Sequence, residues 1–334
     1  LAGGPAHRGG LAARPAVFDH PLGRVAAIPA GGAVGFGILV GPDVLGWVQP
    51  SSLGHDLHLI VGFATAIILF EGGLSLQRSR LRREAAVLRR LLSIGALVTA
   101  LGGAAAAHWL MAWPWTLAAP FGALVVVTGP TVVTPLLRRL RIRREVETVL
   151  EAEGVLIDGI GAILAVVAIE VVTLPQLDLS HGLTTLLLRL GFGIGAGLVG
   201  GLVMMLSLRV AHLVPRDLDN PFTLAMVLVL FQSCNAVMPE TGIVAAIVAG
   251  MVVGNAGLPE LRDLRVFKEQ LTVVLIGMLF VILAADVRLH KVTDLGVPGL
   301  LVVGALMLVV RPLAVAASTL GEPLPWHHRA FLAW

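Results

Sequence analysis

The stretch from Leu271 to Ala285 reads LTVVLIGMLFVILAA, with no charged side chain on any face, and runs of this kind recur along the chain. A helix that is apolar all round needs an apolar surround, and crossing a hydrocarbon core about 30 Å thick takes roughly 20 such residues. Ten mainly apolar segments are candidate spans: 24–41, 57–76, 91–112, 116–137, 147–173, 184–208, 221–238, 241–257, 269–286 and 296–320. Composition removes the soluble alternative. The chain is 57% hydrophobic and 13% charged, with a mean hydropathy of +0.90, whereas soluble domains carry about a quarter charged residues. The spans are expected to be helices, because backbone in lipid must satisfy its own hydrogen bonds. A membrane barrel would need polar and apolar residues in alternation, which these runs lack.

Basic residues mark the two faces. The loop 77–90 holds six arginines and 138–144 holds five, with two spans between them, so both fall on one side, which is expected to be cytoplasmic. The same alternation puts Arg209, Arg216, Arg262, Arg265 and Lys268 on that side and leaves Arg288 and Lys291 opposite. The net charge of +3 is spread between apolar runs instead of forming one basic surface, which argues against nucleic acid as a partner. Cys234 is the one cysteine, so there is neither a disulfide framework nor metal-ligand spacing. Residues 1–23 form a polar Gly/Pro/Ala/Arg segment without the apolar core of a signal peptide, and 24–334 is read as one membrane domain.

A long-period echo runs through the spans. Gly37-Ile38-Leu39-Val40-Gly41 resembles Gly250-Met251-Val252-Val253-Gly254 at an offset of 213 residues, and an odd number of spans separates the two, so they would enter the membrane from opposite sides. Such inverted repeats mark secondary transporters. Continued along the chain, the echo calls for a mirror of 116–137 beginning near Arg329, where the sequence soon stops. The chain is therefore expected to be truncated at both ends, with about ten spans of twelve to thirteen, and to lack exchange activity as given.

Ionisable residues at membrane depth cost about 2.5 to 3.5 kcal/mol each on insertion scales and are functional candidates. Asp158 lies near the middle of the 147–173 segment, about 17 Å from its inner end at 1.5 Å per residue. Glu153 is about 140° away around the same helix and needs a different partner, whereas Glu151 is nearly on the Asp158 face. Glu71 lies in the inner third of its span. Arg311, mid-span in Val310-Arg311-Pro312, requires a buried acid, with Glu153 expected and Asp286 the competitor. The segment 116–137 contains Thr128-Gly129-Pro130-Thr131, where proline removes a donor and clashes with the preceding turn. A helix break at Gly129 and Pro130 would free carbonyls beside Thr128, suited to a dehydrated cation. Glu240 is expected at a helix terminus, and His108 at an interface beside Trp109. No phosphate-cradling loop, Cys/His cluster or nucleophile elbow is present, so neither an enzyme nor a cofactor is expected.

Six stretches together resemble the monovalent cation:proton antiporters of the sodium/proton exchanger type: GILVGPDVLG (37–46), LFEGGLSL (69–76), VTGPTVVTPLL (127–137), EAEGVLIDGIGAILAVVAI (151–169), the segment 240–255 and VRPLAVAASTLG (310–321). The resemblance covers nearly the whole chain. It implies an all-helical polytopic fold with inverted repeats and a centrally broken helix, exchange of Na+ or K+ for H+ by alternating access, and a homodimer in the lipid bilayer of the cell membrane. It puts the family's ion-binding acid on Asp158, its second acid on Glu71, the threonine of its unwound helix on Thr128 and its buried acid–arginine pair on Glu153 and Arg311. Three positions depart from the pattern. Ile157 precedes the essential acid where relatives carry Asn or Asp, Gly129 stands where many have Asp, and Gly154 replaces a frequent serine. The pattern resembles a prokaryotic subgroup of the family that often continues into a cytoplasmic nucleotide-binding regulatory domain. With a single deep acid, exchange is expected to be one for one. A channel or uniporter, and a membrane scaffold without transport, are the alternatives.

Overall fold

In the computed structural model the described residues are 30–128, 144–174, 179–209, 218–257, 261–320, 329–330 and 332, and among them there is no strand. Each of the ten apolar segments overlaps a helix: α1 (Ala30–Val40), α2 (Pro50–Ser75), α3 (Ala85–Met111), α4 (Trp115–Val125), α5 (Arg144–Thr173), α6 (Leu179–Arg209), α7 (Asp219–Val237), α8 (Thr241–Gly254), α9 (Leu261–Asp286) and α10 (Gly296–Ser318). Six contain stretches long and apolar enough to cross a membrane, namely α2, α3, α5, α6, α7 and α10. The polar segment 1–23, most of the basic loop 138–144 and the proposed break at Gly129 and Pro130 lie outside the described residues.

One helix departs from its expected length. Among the described residues of segment 116–137 the helix runs to Val125, after which Val126 closes a turn and Val127 and Thr128 leave the helix. Proline at 130 cannot donate to the carbonyl of Val126 and would crowd it, so regular helix has to stop near that carbonyl, ahead of the break itself. The half-helix that results is 11 residues long, about 16 Å, half the thickness of the hydrocarbon core.

The helices pack as two groups. In one, α8 is surrounded by α2, α6 and α7, with α9 against α1 and α2; in the other, α3 packs on α4 and α10. α5 lies between them, against α4 on one side and against α6 and α8 on the other. The sequence of α8, TGIVAAIVAGMVVG, has no polar face, and the helix is buried along most of its length. Where lipid is as apolar as the protein, close association comes from small residues that let backbones approach. On α6, Gly193, Gly197 and Gly201 supply them at four-residue spacing, facing Thr241, Ala245 and Ala249 at the same spacing on α8; a methyl group on Gly197 would stand 2.7 Å from the Ala245 carbonyl oxygen.

The two glycine pairs of the echo make matched contacts. Gly37 of α1 and Gly41 just past its end abut Val281 and Ala285 of α9, while Gly250 and Gly254 of α8 abut Phe70 and Leu74 of α2. The helices they meet also correspond, since α2 and α9 are each 26 residues long. Each is followed by a six-residue helix, Arg78–Arg83 and Leu289–Asp294, that leads into α3 and α10 respectively.

Candidate functional site

The surroundings of Asp158 follow from its neighbours on α5. Toward one side, Ile157 is buried with Ala96 and Val126, and a methyl on Gly161 would stand 2.6 Å from the Val127 side chain. Toward the other, Val155 closes on Gly72 of α2, and Gly159 faces Val244 and Ile247 of α8. At 100° per residue Asp158 falls between these directions, in the gap between the end of α4 and the α2/α8 pair. Its Oδ1 is buried and has no hydrogen-bond partner among the described residues.

Thr128 closes the described stretch after α4, one residue beyond the Val127 that touches Gly161, and so reaches the same level of α5 as Asp158. α4 also directs its carboxyl end, the negative pole of the helix dipole, toward this level. Glu71 is half-buried on α2, next to the Gly72 that meets Val155. Thr128 thus ends beside the Asp158 level of α5 and Glu71 belongs to the α2 turn that meets α5 at Val155, while Glu153 faces elsewhere. Among the described residues no three His, Cys, Asp or Glu side chains cluster as metal ligands.

Glu153 is 4% exposed and takes a forked pair of hydrogen bonds from Arg311, Nη1 to Oε1 at 2.7 Å and Nη2 to Oε2 at 3.1 Å. Arg311 Nη2 also donates to the Leu332 carbonyl at 3.2 Å. Such a bidentate pair is stronger than a single neutral hydrogen bond and fixes orientation. Asp286, the competing acid, is exposed at the end of α9. A π turn, Leu306–Val310, immediately precedes Arg311 and Pro312. The missing donor and the bulk of Pro312 favour that wider turn.

A second membrane-depth pair joins Arg189 of α6 to Glu170 of α5, Nη2 to Oε1 at 2.7 Å, with Arg189 8% exposed. Motif reading does not single out Arg189; its signal was a lone arginine inside the apolar run 183–208, which demands a partner as Arg311 does. Glu240 sits nearby in the α7–α8 turn with a left-handed backbone, φ 65°. Burial pushes its carboxyl above the ordinary range, and the Arg189 guanidinium pulls the other way. Glu240 holds the N-cap position of α8, but its side chain makes no capping bond; Asn235 Oδ1 instead accepts from the Gly242 amide at 2.8 Å. His108 stacks on Trp115 with ring centroids 4.3 Å apart and shares a 2.6 Å hydrogen bond with the Trp113 carbonyl, a local contact at the end of α3.

Comparison with known proteins gives this arrangement a family. Residues 16–334 match the family described as the transmembrane sodium/hydrogen exchanger. A probable Na+/H+ antiporter of Methanocaldococcus jannaschii is 22% identical over 313 residues, 89% of this chain and 73% of that protein. The K+/H+ antiporter NhaP of Alkalimonas amylolytica is 27% identical over 304 residues, and NhaP2 of Shewanella oneidensis is 28% identical over 306. The chain spans about half the length of these two potassium/proton relatives, 52% in each case. Among solved structures, the sodium proton antiporter MjNhaP1 of M. jannaschii at pH 8 superposes with a TM-score of 0.80 over 93% of this chain and 81% of that one, at 23% identity, which shows a shared fold. The chain is a multi-pass, all-helical member of the sodium/hydrogen exchanger family.

Proposed function

We propose that this chain forms the transport unit of a secondary antiporter that exchanges Na+ or K+ for H+ by alternating access. The observation that carries the reading is the buried Oδ1 of Asp158, without a hydrogen-bond partner among the described residues, halfway along α5 and level with the end of the half-length helix α4. A carboxylate left without donors in low dielectric favours either a proton or a cation, and one carboxylate cannot hold both at full strength. That competition couples the two fluxes. Thr128 and the carbonyls past α4 offer neutral oxygens, and Glu71 adds negative charge or relays a proton. The break expected from the sequence at Gly129 and Pro130, outside the described residues, would supply such carbonyls. Glu153 and Arg311 serve as a structural ion pair. No covalent bond changes, so the role is transport and not catalysis. The antiporter activities named for the NhaP relatives and the M. jannaschii protein support the reading and leave sodium and potassium equally open.

In this reading the protein is a homodimer in the cell membrane, with loop 77–90 in the cytoplasm, and one cation crosses per proton. The test is proton flux in sealed vesicles holding the whole protein to which this chain belongs, under imposed Na+ or K+ gradients. Proton movement that follows either gradient is the expected result there, and flux indifferent to both would refute exchange.

A further inference from the structure

The two six-residue helices, Arg78–Arg83 and Leu289–Asp294, hold equivalent positions in the architecture. Each follows a 26-residue helix of the group around α8 and leads into a helix of the other group, from α2 to α3 and from α9 to α10. They are the connections through which those helices of one packed group direct the other. A short helix exposes its first amides without intrahelical partners, and here the first amide of each is taken by a side chain far away in sequence. The Arg78 amide donates to Asn255 Oδ1 at 2.8 Å, and the Leu289 amide donates to Asp43 Oδ2 at 2.7 Å.

The acceptors of these caps correspond as closely as the helices do. Asn255 directly follows Gly254, whose backbone lies against Leu74 of α2; Asp43 stands two residues past Gly41, whose backbone lies against Ala285 of α9. In each case a glycine crossing brings the end of one helix beside the end of another, and the next polar side chain caps the helix that follows. Asn255 binds further, donating Nδ2 to the Leu76 carbonyl at 2.9 Å and to the Met251 carbonyl at 2.7 Å. It therefore stitches together α8, the end of α2 and the short helix. Beyond the joints, α3 packs on α4, whose end stands beside Gly161, and α10 carries Arg311 to Glu153.

From this matched geometry we infer that Asp43 and Asn255 are a pair of positioning residues that clamp the two joints between the packed groups, setting how α3 and α10 present the α4 end and Arg311 to α5. The inference rests on the exchange reading above for its transport consequence, though not for its geometry. Neither residue lies at the level of Asp158. Their loss slows the conformational step and leaves the affinity of the cation site unchanged.

The whole protein to which this chain belongs, in vesicles with rates normalised to folded inserted protein, tests this. Asp43→Ala and Asn255→Ala should each lower the maximal exchange rate by about fivefold, the factor by which losing one capping oxygen shifts a local equilibrium, with the half-saturating cation concentration held within about twofold. Asp43→Asn keeps an oxygen for the Leu289 amide and should restore the rate. Asn255→Asp keeps its acceptor but sets an oxygen against the Leu76 and Met251 carbonyls, and should not. Unchanged maximal rates in both alanine variants, or equal losses in Asp43→Asn and Asp43→Ala, would overturn the assignment. If the unaltered protein exchanges nothing, the exchange reading fails, and amide hydrogen exchange decides the joints alone. Asn255→Ala should then deprotect Arg78, and Asp43→Ala should deprotect Leu289. Unchanged protection at both amides would dismiss the clamps.

Discussion

Glu153 and Asp158 stand on the same helix little more than a turn apart, yet they live in opposite circumstances. Glu153 is closed off by a forked guanidinium, whereas Asp158 keeps a buried oxygen with no donor among the described residues. Both carboxylates bear the cost of leaving water. Arg311 offsets it for Glu153 permanently, and nothing described does so at that oxygen of Asp158. A carboxylate saturated with donors is a joist, and one with an open oxygen is a seat. Position along α5 does not separate them; rotation about its axis does, turning one toward α10 and the other toward the end of α4.

The largest effect should come from removing the seat. Asp158→Asn is expected to abolish exchange while the protein still inserts, because a neutral amide cannot alternate between proton and cation; cation-driven proton flux in that variant would end the distinction. Next comes the joist. Glu153→Gln strands a buried Arg311 and should cost about 3 to 5 kcal/mol of stability, seen as a fall in melting temperature in detergent. The double variant Glu153→Gln, Arg311→Gln should be better tolerated than Glu153→Gln alone, and a double variant equally unstable would break the pairing. A smaller change sharpens the seat. Thr128→Ala deletes one neutral oxygen and should raise the half-saturating cation concentration by about tenfold, ~1.4 kcal/mol, with melting temperature little altered. Last is an expected null: vesicles held at different membrane potentials should exchange at equal rates, since one cation leaves for each proton. A current that scales with potential would show that a second group, Glu71 foremost, titrates with Asp158.

Much of this was legible in the sequence. Apolar length alone marks a helix in each of the ten segments among the described residues, because in lipid the backbone has no alternative to pairing with itself. The Glu153–Arg311 pair followed from cost, since a mid-span arginine has to find an acid. The end of α4 at Val125 is implicit in Pro130, read four residues back to the carbonyl it crowds. Other features had no local signal. The glycine echo gave no hint that Gly37 would meet Val281 or that Gly250 would meet Phe70, because the partners of a small residue are set by tertiary packing. Asp43 and Asn255 are ordinary turn residues in sequence, and only the folded chain brings each to a distant amide.

The π turn in α10 has a further implication, best put in terms of phase. Its wider loop holds one more residue than an α-helical turn would, so the helix before it and the helix after it are out of step by about 100°. The first part keeps the phase that buries Val302, and the second keeps the phase that aims Arg311 at Glu153. No uninterrupted helix of this length could present both faces. Deleting a single residue between Leu306 and Val310 should therefore leave Arg311 aimed at Glu153, because a regular helix one residue shorter spans the same angle as the wide turn, whereas inserting a residue there would swing the arginine out of line with its acid.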